Sequence, residues 1–270
     1  MKEPEVQGEE KLPEAGAGSG GGSWCEQPGP AGATGGHIYD RAEEIDLENE
    51  NDDSLVFIAR HIPPGSRVLE LGVATGYFSR FLSGKLNCLV DGVEINPVMA
   101  ARAEPGLNRL VIADLETLDL KESFPQQLYD RIILADILEH LKAPAFVLKQ
   151  LPALLKEDGQ IIISIPNAAY AGLILELLGG GFNYRSEGIL DRTHLRFYTQ
   201  SSFRAFLEEL GFTVISAEPV RLPLSRSEFF PTLDQIAVPF TRFLTARPEA
   251  TAYQYVFTAI TGRKSDHSIG

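Results

Sequence analysis

The chain has 270 residues, of which 44% are hydrophobic and 23% charged, and a net charge of −13 at pH 7. That length holds one sizeable α/β domain with a real core, and the composition is that of an ordinary soluble globular protein. The acidic balance argues against broad attraction to nucleic-acid phosphates. Cys25 and Cys88 form no disulfide or metal framework and suit a reducing cytoplasm; the acidic start lacks an apolar h-region and is not expected to be a secretory signal, and no apolar run reaches the roughly 18–20 residues that a membrane span needs.

Residues 1–36 are rich in Gly, Glu, Pro and Ser. They bury too little apolar surface to offset their ordering entropy, and a disordered tail is expected. The folded domain is expected over 37–270. Leu55, Ile58, Ala59 and Ile62 have helical spacing, and Pro63-Pro64-Gly65 ends that helix. "RVLELG" reads as a strand, "GYFSRFLSGK" as a helix, "CLVDGVEI" as the next strand and "NPVMAARAE" as its helix. "RLVIADL" and "YDRIILADI" make two further strands. "PAFVLKQLPALLKED" is expected to be a helix that Pro152 kinks or splits, followed by the strand "GQIIISIP". After an interruption at 167–200 come the helix "SSFRAFLEELG" and the strand "FTVISAEPV"; after a second, at 221–252, comes the strand "YQYVFTAITG". Strands alternating with helices predict βαβ units, and near-continuous apolar strands predict a parallel sheet covered on both faces.

In "LELGVATGYF", residues 69–78, a carboxylate (Glu70) sits in an apolar strand just before two glycines. Gly72 and Gly76 permit φ > 0 and close approach of a ligand to the backbone, beside the free N–H groups that open a helix. The spaced positions read Gly72, Ala74 and Tyr77, which is not the G-x-G-x-x-G of nicotinamide sites. Glu94 closes the second strand, where a carboxylate accepts both hydroxyls of a ribose, or is a solvated cap. Asp114 closes the third, placed to accept from an adenine amino group, or again to cap a strand.

"VLELGVATGYFS", "VDGVEIN", "IADLE" and "YDRIILADILEHL", in this order, resemble the class I S-adenosylmethionine-dependent methyltransferases, over about residues 38–220. The resemblance implies a Rossmann-like, doubly wound seven-stranded sheet, mostly parallel with an antiparallel last strand. It places Glu70 and Gly72 at the methionine end of S-adenosylmethionine, with Glu70 beneath its ammonium group. Glu94 then takes the ribose and Asp114 the adenine. Val73, Ala74, Gly76, Tyr77, Ile95, Leu115 and Asp136 would line the same cofactor, with Tyr39 closing from the N-terminal side.

Methyl transfer is an in-line displacement at a sulfonium, so the acceptor must be positioned and deprotonated. "LADILEHL" offers Asp136, Glu139 and His140, one turn apart on a short helix, and "DRTHLRFYT" adds His194. This layout resembles ubiquinone-pathway O-methyltransferases and small-RNA 3′-terminal 2′-O-methyltransferases. There, matching residues hold a divalent cation that activates vicinal hydroxyls; here the first acid is an Asp, one methylene shorter than Glu. Carboxylate and imidazole ligands suit Mn²⁺, Fe²⁺ or Zn²⁺ better than Mg²⁺. A cation site, a metal-free histidine base and a purely structural histidine pair stay open as readings of His140 and His194.

"SIPN" followed by "LDRTHLRFYT" also resembles bacterial methyltransferases that accompany glycan biosynthesis. The expected activity is therefore O-methylation of a small molecule or glycan-type acceptor by a cytoplasmic enzyme. RNA 2′-O-methylation and a non-catalytic cofactor-binding partner are the alternatives. The apolar stretches 170–184 and 222–244 are expected to form a lid over the acceptor, or to cover one another or the second subunit of a homodimer.

Overall fold

The computed structural model describes residues 45, 47, 53–229 and 238–262, all within the unit Gly36–Gly270. The tail 1–36, Tyr39 and residues 230–237 of the second insertion lie outside the described residues.

Helix α1 (Ser54–Arg60) is capped by Asp53, whose carboxylate accepts the Leu55 N–H at 2.9 Å. Strand β1 (Arg67–Leu71) leads into α2 (Tyr77–Lys85), and β2 (Leu89–Glu94) into α3 (Pro97–Ala103). Asn96 caps α3 by accepting the Val98 and Met99 N–H groups, and Pro97 occupies the first helical position, where no N–H is needed. Then follow β3 (Arg109–Ile112), the short α4 (Leu120–Ser123), β4 (Tyr129–Ala135), α5 (Pro144–Leu148) and β5 (Leu155–Pro166). The remaining elements are α6 (Ala171–Leu178), α7 (Gln200–Glu209), β6 (Phe212–Arg221), α8 (Val238–Thr245) and β7 (Ala252–Thr261).

The seven strands form one sheet in the order β3-β2-β1-β4-β5-β7-β6. The first five pair in parallel, and β7 lies between β5 and β6, antiparallel to both. Period-two alternation sends Leu69, Ile132, Ile161 and Ile163 to one face, packed with Val147 and Leu148 of α5 and Phe203 and Leu207 of α7. Val68, Ile133 and Ile162 go to the other, against Ile58 and Ala59 of α1 and Phe78 and Leu82 of α2. Covered on both faces, the sheet leaves the C-terminal ends of its parallel strands as the place for a ligand.

The helix expected over 144–158 is shorter. It ends at Leu148, a 3-10 turn over Leu151–Ala153 takes up Pro152, and residues 155–158 already belong to β5. Pro152 removes the N–H a continuing helix would need, and the Leu154 carbonyl instead accepts the Tyr129 N–H at 2.8 Å, opening the pairing with β4. The two insertions cover one another in part. Tyr170, Leu173, Ile189 and Leu190 of the first pack with Phe229 of the second. Glu228 accepts the Ile189 N–H at 3.1 Å and the Tyr253 hydroxyl at 2.9 Å. Among the described residues no helix is long and apolar enough to cross a membrane.

Candidate active site

At the ends of β1 and β2 the backbone does most of the shaping. The Gly72 and Val73 N–H groups donate to the Val93 carbonyl at 2.9 and 3.1 Å, carrying the chain across from β1 to β2. Gly72 and Gly76 have φ of +83° and +74°, as expected. A Cβ on Gly76 would stand 2.6 Å from the Ala103 Cα, so this glycine lets α2 begin against the end of α3. A Cβ on Gly72 would fall on the Ile137 side chain from the loop after β4. Ala74 is also left-handed, at φ +47°.

Glu94 is buried and ties the turn together: Oε2 accepts the Ala74 N–H and Oε1 the Asn96 N–H, both at 2.8 Å. Each oxygen keeps a lone pair, which is the provision a pair of vicinal hydroxyls requires. Glu70, 3% exposed, accepts the Ser79 hydroxyl at 2.5 Å. Burial, reinforced by the nearby Glu94 charge, pushes its pKa up to about 7 against the opposing Ser79 bond. Asp114 uses Oδ1 to accept the Glu116 N–H at 2.8 Å, an Asx turn that fixes its orientation. Ile95 and Ile112 lie exposed at the ends of β2 and β3, apolar surface suited to a purine face. Val73 and Leu115 are buried, and Tyr77 packs half-buried against the core at the start of α2.

The ends of β4 and β5 hold a different kind of site. Asp136 adopts φ +52°, and this left-handed step breaks the single short helix expected for Asp136 to His140 into a bend and a 3-10 turn, Leu138–His140. The Asp136 carboxylate accordingly turns back toward the sheet. Its Oδ1 accepts the Ser164 hydroxyl at 2.8 Å and the Gln254 amide at 2.9 Å. Burial raises its pKa, with those two bonds and the two histidines acting against it.

Glu139, His140 and His194 converge, each offering a ligand atom within 4.8 Å of the others; Asp136 is not part of this group. Glu139 is 1% exposed, and neither carboxylate oxygen has a hydrogen-bond partner. His194 Nε2 lies 4.0 Å from Glu139 Oε1, too far for a hydrogen bond. Burial, and next the Asp136 charge, drive its pKa well above the usual carboxylate range.

The imidazole tautomers follow from their partners. His194 Nδ1 lies 2.9 Å from the Ile189 carbonyl, which only accepts, so Nδ1 carries the proton and Nε2 a lone pair. The Thr193 hydroxyl donates to Asp191 Oδ1 at 2.6 Å, so at 3.0 Å it accepts from His140 Nδ1–H and again leaves Nε2 open. Burial and the neighbouring His194 lower the His140 pKa and favour its neutral form. The two rings stand 4.7 Å apart. The Glu139 carbonyl accepts the Leu195 and Arg196 N–H groups at 2.8 and 3.2 Å, which straps the His194 segment to the Glu139 turn. Beside His194, the exposed rings of Phe197, Phe182 and Tyr184 form an edge-to-face series with centroids 5.7 and 5.4 Å apart.

Sequence reasoning did not find Ser79, Ser164, Asp191, Thr193 or Gln254. Asp191 and Thr193 stand in the "DRTH" run that supplied His194, so their proximity to it was visible, but not their direction.

A family model described as "Methyltransferase domain" matches residues 39–217, and the chain belongs to the class I S-adenosylmethionine-dependent methyltransferases. An uncharacterized protein of Methanocaldococcus jannaschii is 29% identical over 67% of this chain and 83% of its own length. A ubiquinone biosynthesis O-methyltransferase of Burkholderia pseudomallei is 24% identical over 66% of this chain and 78% of its own. The crystal structure of an S-adenosylmethionine-dependent methyltransferase from Archaeoglobus fulgidus shares the fold, with a TM-score of 0.53 and 21% identity over 76% of this chain and 91% of that one. The chain is thus an enzyme whose cofactor is S-adenosylmethionine.

Proposed function

We propose that the enzyme methylates a hydroxyl oxygen of a small-molecule acceptor, held at the ends of β4 and β5 by Glu139, His140 and His194 with a divalent cation. The observation that carries this reading is Glu139: a buried carboxylate with both oxygens unpartnered is costly, and two imidazoles whose Nε2 lone pairs are left open by their own hydrogen bonds stand next to it. A carboxylate and two oriented imidazoles are a donor set for Mn²⁺, Fe²⁺ or Zn²⁺.

S-adenosylmethionine supplies an electrophilic methyl on a sulfonium, and a cation at Glu139, His140 and His194 would lower the pKa of an acceptor hydroxyl. For the cofactor, Glu94 takes the ribose hydroxyls on its remaining lone pairs and Glu70 faces the ammonium group. Asp114 accepts from the adenine, with Ile95 on the ring face. Ile137, from the loop that carries Glu139, borders the Gly72 turn, which supports placing acceptor and methyl donor side by side, as in-line transfer needs. The aromatic series Phe197, Phe182 and Tyr184 offers a ring or apolar body a surface to lie on. Support for an oxygen acceptor comes also from the Burkholderia pseudomallei relative, named for O-methylation in ubiquinone biosynthesis.

The test is transfer of a labelled methyl from S-adenosylmethionine to a panel of hydroxylated aromatics and sugars, with and without EDTA. O-methyl product that disappears with EDTA and in His194→Ala, while S-adenosylhomocysteine binding by calorimetry is retained, is the expected result. Undiminished turnover in His194→Ala would overturn it.

A further inference from the structure

We propose that Ser164 and Gln254 are positioning residues that keep Asp136 out of the coordination sphere, so that among the described residues Glu139, His140 and His194 alone hold the cation. The inference rests on the cation reading above and departs from what the D-x-x-E-H pattern suggests, which would make Asp136 a fourth ligand.

Asp136 is close enough to matter: it stands three residues before Glu139, at the left-handed step that leads into the Leu138–His140 turn. Its Oδ1 is nevertheless committed elsewhere. Ser164 Oγ accepts the Asp136 N–H at 3.0 Å and returns its own proton to Oδ1 at 2.8 Å, a reciprocal pair that fixes main chain and side chain together. Gln254 Nε2 adds a second donor to the same oxygen at 2.9 Å.

Both partners stand on strands. Ser164 is fully buried on β5, opposite Ala135 of β4 and Val256 of β7, and Gln254 lies on β7 opposite Pro166. The holders therefore cannot follow a loop. Asp136 itself sits at φ +52°, a conformation a non-glycine residue keeps only where its surroundings over-determine it. Swinging Oδ1 toward the Glu139 cluster would leave the buried Ser164 hydroxyl without its acceptor and break the Gln254 bond. The side chain is also one methylene shorter than a Glu would be. A cation held by one carboxylate and two imidazoles would leave coordination places for acceptor oxygens and water.

The experiment uses Mn²⁺ as the probe on the full chain, with affinity and inner-sphere water number read by electron paramagnetic resonance and water-proton relaxation. Wild-type protein is expected to bind Mn²⁺ with about three inner-sphere waters. Asp136→Asn is expected to keep that number, with an affinity loss of less than about tenfold from removing a nearby charge. The double variant Ser164→Ala, Gln254→Leu releases Asp136 and is expected to lose one water as the freed carboxylate enters. A water gained in Asp136→Asn would make Asp136 a ligand and overturn the inference while leaving the cation reading standing. An unchanged water number in the folded double variant would overturn the positioning role of Ser164 and Gln254. Failure of the wild-type protein to bind Mn²⁺, with S-adenosylhomocysteine still bound, would overturn the cation reading and this inference together.

Discussion

The two halves of the site are built by opposite means. At β1 to β3, local backbone closes the turn. Glu94 reaches back only 20 residues to the Ala74 N–H, and the donors it satisfies are main-chain amides. At β4 and β5, distant side chains meet: His140 finds Thr193 across 53 residues, and Asp136 finds Gln254 across 118. The first half is complete in its own hydrogen bonds. The second leaves a buried carboxylate unsatisfied. A backbone-built half tolerates little change in conformation, whereas a side-chain-built half tolerates little change in charge.

The largest effect that could break this contrast lies at Gly76. With φ at +74° and the Ala103 main chain 2.6 Å from a built Cβ, Gly76→Ala should destabilise the protein by about 3 kcal/mol or more, measured by urea unfolding. A loss below about 1 kcal/mol would show that the turn and α3 yield easily. Next is the pH dependence of the cofactor-free protein. Glu70 has a folded pKa near 7 against an ordinary 4.5, so between those values the folded state holds more protons than the unfolded chain. Stability carried by this group is present in full below pH 4.5 and falls as pH rises to 7, by up to about 3 kcal/mol. Because other buried groups titrate too, the measurement is the difference in melting temperature between wild type and Glu70→Gln. That difference should change steadily across pH 4.5 to 7, and parallel curves would refute the assignment. The smallest effect is expected for Glu94→Ala, which should weaken S-adenosylhomocysteine binding by about 1–3 kcal/mol; unchanged affinity by calorimetry would remove Glu94 from the ribose.

The same contrast decides what could be read in advance. The central parallel strands β1, β4 and β5 announced themselves as apolar runs, because burial on both faces leaves little polar alternation. The glycine turn and the acids Glu70, Glu94 and Asp114 were legible because each lies at a strand end marked by the same run. The helix expected through Asp158 was not resolved correctly, since "ALLKED" carries helix-forming residues and only pairing with β4 draws it into the sheet. Glu139, His140 and His194 stood out as residue types, but the orphaning of Glu139 depends on what does not reach it. The sequence also gave no sign that Asp136 turns left-handed, or that the antiparallel register of β5 and β7 sets Gln254 opposite Pro166. That register follows from long-range pairing, and no local pattern encodes it.

The placement of β7 has a consequence for how the molecule is made. Synthesis reaches Ala252–Thr261 after the other described strands, yet this segment is inserted between β5 and β6. Until it emerges, the Ile161–Pro166 edge of β5 faces outward with unpaired amides and carbonyls and a β-branched, uncharged sequence, which is a template for pairing with another chain. The nascent protein thus passes through an interval in which its methyl-donor half is ready to fold while the edge of β5 is adhesive, and the time between synthesis of β5 and of β7 bears on yield.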